Sequence, residues 1–360
     1  MTRSLRPGER WDPGLLGAAV TITCAGMIAM VSAARTLNPD LAVRHGVYAA
    51  LGLLVCLGAS STHYRRWTDL AIAIYGISLL ALLAVSVIGT MRLGATRWLS
   101  VFGLSLQPSE LAKCAVVLLL AHYLGGQPRP LPARAVWTSL GLAGLPALLI
   151  FHQPDLGSAT ILAAIWFGMA WVAGLSRRWL MILTAGVFAL LPLAWHVLKE
   201  YQRDRLLAFV DPHADPLGAG YTIIQSTIAI GSGQLFGRGW FAGTQNQLNF
   251  LPERHSDFIF SVIGEEWGLV GCLVVIVSFG LLLARMIRIA LEISDPQGRL
   301  LVTGLFSWIG YQAFINMGMV AGLLPVVGVP LPLVSYGGSS MVILWLMLGL
   351  AHSARRVSRE

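Results

Sequence analysis

The sequence predicts an all-α polytopic membrane protein: about ten transmembrane helices, both termini cytoplasmic, and one long external loop between helices 7 and 8. Three observations predict it. Of 360 residues, 56% are hydrophobic and only 12% charged, against about 25% charged in a soluble domain. A chain so poor in polar surface needs lipid as its solvent. Its apolar residues fall in runs of about 20, the length that crosses a bilayer. Its arginines fall in short clusters between those runs. With ten spans, every cluster lands on one side, the positive-inside pattern. A net charge of +8 in a soluble chain would suggest nucleic acid. Here the charge flanks membrane runs, and no nucleic-acid partner is expected.

Taken in order, Arg3, Arg6 and Arg10 precede the first run, 13–34. Ser32-Ala33-Ala34 mimics a signal cleavage site, but the run is long for a signal core and reads as an uncleaved first helix. Further runs lie at 44–61, 68–89, 108–126, 137–153, 156–174, 179–198, 257–287, 299–322 and 335–354. They are continuously apolar rather than alternating, so strands are not expected. Arg65-Arg66, Arg129 with Arg134, Arg177-Arg178, Arg285 with Arg288 and Arg299, and Arg355 with Arg356 and Arg359 mark the cytoplasmic side. The opposite face then holds 35–43, 90–107, 154–155, 199–256 and 323–334. The loop 199–256 is rich in Gly, Pro, Gln and charge, and its apolar stretch Tyr221–Ile230 predicts short amphipathic helices within it. No repeat or soluble segment divides the chain, so 1–360 reads as a single membrane domain. Cys24, Cys56, Cys114 and Cys272 sit inside apolar runs without ligand spacing and read as small core residues.

Ionisable residues in or beside the spans are the strongest functional signal, because a charge near the bilayer centre costs at least about 2.5–3.5 kcal/mol. Arg97-Trp98 leads into Gln107-Pro108-Ser109-Glu110 and Lys113, where Pro108 suits a helix start. Glu110 and Lys113, three apart, share a helix face, either as a structural ion pair or as substrate groups. Asp155 follows the turn His152-Gln153-Pro154, as an N-cap or as part of a polar cavity shared with Glu110. Asp257 sits where the long loop meets an apolar helix, either as a cap or as a half-buried carboxylate whose raised pKa suits a general base. Adjacent His255 and Ser256 cannot form a hydrolase triad with it. Glu265 and Glu266 lie two turns deeper, and at least one must find an interior partner. Gly337-Gly338-Ser339-Ser340 permits close helix packing or presents backbone N–H groups to an anion such as pyrophosphate. Asp155, Asp257 and Glu110 could together hold a divalent cation (Mg or Mn) through oxygens, though nothing in their spacing demands it.

These blocks together resemble the SEDS family (shape, elongation, division and sporulation), and most closely its RodA branch. The similarity runs through Tyr201-Gln202-Arg203-Asp204-Arg205, Asp211-Pro212, Asp215-Pro216-Leu217-Gly218-Ala219-Gly220-Tyr221, Gln225-Ser226, Gly231-Ser232-Gly233, Gly237-Arg238-Gly239-Trp240 and Leu251–Gly268. Gln107–Glu110, Gln153–Gly157 and Val334–Ser340 add three independent blocks. Two departures stand out: Ser256 where Thr is usual, and Thr96 where Lys is common. The resemblance implies a peptidoglycan glycosyltransferase that polymerises lipid II during cell-wall elongation. It implies an active site on the external face of the bacterial cytoplasmic (inner) membrane and a class B penicillin-binding protein as partner. Asp257 is then the expected catalytic base. Arg97, Trp98, Gln107, Glu110, Lys113, Asp155, Gln202, Arg205, His255 and Ser339 are expected to bind substrate or line its cavity. A lipid II flippase and a noncatalytic scaffold for the penicillin-binding protein are the alternatives. The partners expected are lipid II, undecaprenyl-linked glycan and membrane lipids.

Overall fold

Each of the ten apolar runs contains a helix in the computed structural model, which describes residues 12–92, 95–101 and 104–359. The order is α1 (Pro13–Ala34), α2 (Asp40–Ser61), α3 (Tyr64–Asp69), α4 (Ala71–Ile88), β1 (Thr90–Arg92), β2 (Ala95–Val101), β3 (Leu104–Leu106), α5 (Pro108–Gly125), α6 (Ala133–His152), α7 (Leu156–Ala173), α8 (Arg177–Val197), α9 (Glu200–Val210), α10 (Tyr221–Ser232), α11 (Thr244–Gln247), α12 (Ile259–Glu292), α13 (Pro296–Val320) and α14 (Gly338–Arg359). Among the described residues, α1, α2, α6, α7, α12 and α13 are long and apolar enough to cross a membrane.

α5 and α13 form the centre. Ala112 to Ala121 of α5 are buried on every side of the helix, as expected of a helix that is apolar all round. α5 packs on α4, α7, α13 and α14, while α13 also meets α7 and α12. α2 lies at the edge against α1 and α14 and leaves Val47, Leu51 and Leu54 exposed. That exposure suits lipid.

The arginine-rich face is knitted by acidic helix caps. Asp12 accepts from Leu15 N at 2.9 Å, so it starts α1. It also pairs with Arg285 of α12 at 2.8 Å and with Arg355 of α14. Asp295 starts α13 by accepting from Gly298 N and takes Arg65 of α3 at 2.9 Å. These arginine clusters therefore meet at one end of the bundle.

The segment 90–107 corrects the expectation of a strandless loop. It holds a three-stranded antiparallel sheet, β1-β2-β3, with Thr90 opposite Trp98 and Leu99 opposite Leu106. Three short strands outside the apolar core can pair through their backbones, a solution that a rule about membrane-spanning runs does not address.

The loop 199–256 contains α9, α10 and α11, with α10 matching the apolar stretch seen in the sequence. Its central part is wedged into α12. Gly268 breaks the helical path (φ 67°), and there Leu269 N and Val270 N donate to the carbonyls of Gln234 and Leu235. Arg238 N and Gly239 N donate to Glu265 O and Glu266 O. A Cβ on Gly268 would come within 2.3 Å of Gly237 N. Glycine is thus required both for the positive φ and for the close approach.

Candidate active site

Four segments converge at the end of the bundle opposite the arginine-rich face: the α6–α7 turn, α9, the stretch 253–257 before α12, and the connection 325–336 before α14. Polar side chains of α13 hold two of them. Asn316 Nδ2 donates to Asp257 O at 2.8 Å and to Val329 O at 2.6 Å. Gln312, one turn earlier, donates to Pro330 O at 2.8 Å. Ser335 Oγ accepts from Leu331 N and donates to Ser256 O, while Tyr336 N donates to His255 O at 2.9 Å. The backbone around Asp257 is thereby fixed from two directions.

Asp257 is not a helix cap. The cap position of α12 is Phe258, and it receives no side-chain bond. The carboxyl stands in the turn before the span. The residue keeps a solvent-facing part, yet protein encloses most of the carboxyl. Burial, then the negative charges of Glu253 and Asp155, push its pKa up to about 7 against the opposing pull of Arg205 and a hydrogen bond with Ser256. Gly328 marks the closest approach of the opposite wall. A Cβ there would lie 3.4 Å from Asp257 Oδ2 and 3.7 Å from Arg205 Nη1, and its φ of +70° favours glycine.

Arg205 reaches this place from α9. Its guanidinium lies over the Tyr201 ring at 5.8 Å, and Tyr201 Oη donates to Pro154 O at 3.2 Å, so α9 is pinned on the α6–α7 turn. Asp155 caps α7 by accepting from Ser158 N at 3.1 Å, one of the two readings of the sequence, and its charge also acts on Asp257; Glu110, expected to share a cavity with it, is paired with Lys113 instead. His255 packs against the Tyr336 ring at 5.9 Å and lies 4.0 Å from Glu253. Burial lowers its pKa below the ordinary histidine value.

The remaining expected site residues are placed otherwise. Lys113 and Glu110 form an ion pair at 2.6 Å with each side chain only 1% exposed. Lys113 also touches Gln312 Oε1 at 3.4 Å and lies 5.0 Å from the Trp308 ring. It is shut away from any phosphate and instead braces Gln312, which holds Pro330. Gln202 accepts from Lys199 N as part of the α9 cap. Ser339 Oγ accepts from Gln107 N at 3.2 Å, joining the starts of α14 and α5. Gly338 packs beneath the Tyr48 ring, where a Cβ would come within 2.5 Å, so close packing accounts for the small residues there. Trp98 is half-buried on β2; the side chain of Arg97, on the same strand, lies outside the described residues.

Among the described residues no group of three or more His, Cys, Asp or Glu side chains is gathered in a way that could hold a metal ion. Glu110 is committed to Lys113, so the trio Asp155, Asp257 and Glu110 is not assembled as a cation site.

Glu265 and Glu266 both turn inward. Glu265 accepts from Gln245 N at 2.8 Å, Asn246 N at 3.1 Å and Thr244 Oγ1 at 3.2 Å. Glu266 accepts from Ser32 Oγ and from Asn246 Nδ2 at 2.9 Å. Arg254, also buried, donates to Ala33 O and Asn246 O and to Thr36 Oγ1. These residues tie the loop to α1. Sequence reasoning passed over Gln312, Asn316 and Arg254. Gln312 and Asn316 did carry a signal, two polar amides one turn apart inside an apolar run.

The family model for the cell cycle proteins FtsW, RodA and SpoVE matches residues 14–360. The chain belongs to the FtsW/RodA/SpoVE family. Among relatives, this family member is 43% identical over 305 residues to the peptidoglycan glycosyltransferase MrdB of Escherichia coli K12, covering 84% of this chain and 82% of that protein. It is 37% identical over 364 residues to a probable peptidoglycan glycosyltransferase FtsW of Geobacter metallireducens, covering 96% and 95%. Among solved structures, a chain of a peptidoglycan synthase complex, studied for how polymerisation and crosslinking are coordinated, superposes with TM-score 0.84 at 38% identity over 97% of this chain and 99% of that one. The rod shape determining protein RodA of Thermus thermophilus superposes with TM-score 0.73 at 32% identity, covering 97% and 98%. This family member is accordingly a multi-pass membrane protein.

Proposed function

We propose that this chain is a peptidoglycan glycosyltransferase that polymerises lipid II into glycan strands for cell-wall elongation, with Asp257 as its general base. The observation that carries the reading is the largely enclosed Asp257 carboxyl, set with Arg205 against Gly328 and raised by burial to a pKa of about 7. The names of the relatives supply the reaction class.

The reaction is a single inverting displacement. Asp257 takes the proton of the acceptor GlcNAc 4-hydroxyl as that oxygen attacks the anomeric carbon of the donor MurNAc. Undecaprenyl pyrophosphate leaves from the opposite face and carries the bonding electron pair. A base with pKa near the working pH combines a useful ionised fraction with a useful proton affinity. Arg205, the cation nearest to Asp257 among those acting on it, offsets charge on the departing pyrophosphate; Arg97 is a second candidate for that role. No second carboxylate acts as nucleophile. Lys113, Gln312 and Asn316 position the recess and do not touch the sugars. A bound divalent cation would add charge neutralisation, but the carboxylates expected to hold one do not converge, so no step is assigned to it.

The reading places the recess at the external face of the bacterial inner membrane, opposite the arginine clusters, where lipid II displays its sugars. It gives the chain a class B penicillin-binding protein as crosslinking partner. The test is polymerisation of labelled lipid II by the purified protein with that partner, comparing wild type with Asp257→Ala at matched thermal stability. Polymer from wild type alone supports the assignment. Polymer from both removes Asp257 as the base. Polymer from neither, with lipid II still crossing vesicle membranes, replaces the transferase with a flippase.

A further inference from the structure

A second concavity lies at the other end of the helices. Its volume is about 510 Å³. Phe167 and Trp171 near the end of α7, Leu180 at the start of α8, Met286 and Leu291 near the end of α12, and Arg299 at the start of α13 line it. Phe167 and Trp171 stand 12 and 16 residues beyond the α7 cap Asp155, about 18–24 Å along the helix. The cavity therefore opens toward the arginine-rich face, in the leaflet opposite the Asp257 recess.

Its chemistry is amphipathic in an ordered way. Three walls are apolar. The fourth is a stripe on α13, Arg299, Thr303 and Ser307, spaced by four residues and so on one helix face. Thr303 turns its hydroxyl back to Arg299 O at 2.9 Å. Arg299 Nε and Nη2 donate to the carbonyls of Ile293 and Ser294 at 3.2 and 3.4 Å. Two of its five N–H donors thus anchor the guanidinium at the cavity edge. Among the described residues no carboxylate lines the cavity. Arg288 and Glu292 each adjoin a lining residue of α12 without lining the cavity themselves, and Glu292 is paired with Arg355 at 3.0 Å. An apolar chamber with the Arg299 guanidinium at its edge is complementary to a lipid with a negative head and apolar chains. The cytoplasmic leaflet is where anionic glycerophospholipids lie against basic groups.

We propose that this cavity binds one anionic glycerophospholipid of the cytoplasmic leaflet, its acyl chain lying over α13 between α7 and α12 and its phosphate on Arg299. A polyprenyl phosphate shares the head-group chemistry, but the glycan-bearing lipid of the proposed reaction presents its phosphates at the opposite leaflet.

The test is native mass spectrometry of the purified full chain released from bilayers of phosphatidylcholine mixed with phosphatidylglycerol or with undecaprenyl phosphate. Wild type should retain one phosphatidylglycerol, preferred over phosphatidylcholine by about fivefold for one basic contact. Ala290→Phe, which fills the chamber from α12, should lose the retained lipid. Arg299→Gln should keep a lipid without the head-group preference, and Arg299→Lys should restore the preference. Equal retention of the two phospholipids by wild type overturns the proposal and needs no variant. So does unchanged retention in Ala290→Phe. Retention of undecaprenyl phosphate ahead of phosphatidylglycerol reassigns the cavity to the carrier lipid.

Discussion

Asp257 and the pair Glu265–Glu266 lie within ten residues of one another, yet the fold treats them in opposite ways. Each oxygen of Glu265 meets backbone N–H groups of 245–246, and Glu266 takes Ser32 and Asn246. Asp257 instead has its backbone carbonyl held by Asn316 while its carboxyl faces two other carboxylates and one arginine. A buried carboxylate supplied with donors stabilises a fold. One surrounded by like charge is held ready to accept a proton. The difference separates structural acids from the catalytic candidate without reference to conservation.

Four measurements break or sharpen that comparison. The largest effect is expected from Asp257→Asn: polymerisation should fall about 10²–10⁴-fold, the usual share of a general base, with no loss of melting temperature. A parallel fall in melting temperature would make Asp257 another structural acid. Next, Lys113→Ala should cost about 3–5 kcal/mol, because Glu110 is left charged and buried without its partner. Denaturation of the purified chain measures this, and Glu110→Gln combined with Lys113→Met should recover most of it. A stable Lys113→Ala protein that fails to bind lipid II would return Lys113 to the substrate site.

Glu265→Ala should cost about 1–3 kcal/mol by stranding the N–H groups of Gln245 and Asn246, while the folded fraction stays active. Loss of activity without loss of stability would erase the contrast with Asp257.

The smallest effects are in pH. The rate should rise tenfold per unit as pH climbs toward about 7 and level off above it, since only ionised Asp257 accepts a proton. Asp155→Asn keeps the α7 cap and should move the midpoint down, as should Glu253→Gln. Arg205→Gln should move it up. The linked effect on stability has the opposite sense. The folded carboxyl binds its proton more tightly than the unfolded one, so stability falls as pH rises from the ordinary aspartate value of 3.8 to about 7 and is flat beyond. Asp257→Asn should abolish that slope, which pH-dependent melting would detect.

The helices were legible because lipid imposes a length and a hydropathy on any segment that crosses it. The arginine clusters were legible because the membrane sets where they fall along the chain, although which acid each one meets, as Arg65 meets Asp295 and Arg285 meets Asp12, was not. Asp257 and Asp155 were found as charges beside apolar runs and Arg205 through the family resemblance, and the structure brings those three together. Lys113, chosen by the same rule with an ion pair as one of its two readings, binds Glu110, and Gln202 and Ser339, taken from motifs, also bond to their own fold. The rule detects an expensive group but not what offsets its cost. Whether Lys113 meets Glu110 or a phosphate depends on α13 placing Gln312 and Trp308 over it, 199 and 195 residues away in sequence.

The sequence by itself therefore determined the solvent of this protein, its helices, the side on which its cations lie, and a short roster of charges that needed explaining. Only the tertiary structure decided which of those charges are satisfied. It paired β1, β2 and β3 into a sheet and drove the loop into the break at Gly268. It left Asp257 facing Arg205 across Gly328. The physical reason is that hydropathy is a property of each residue, while satisfaction of a buried charge is a property of pairs, and pairs distant in the chain exist only once the helices have packed.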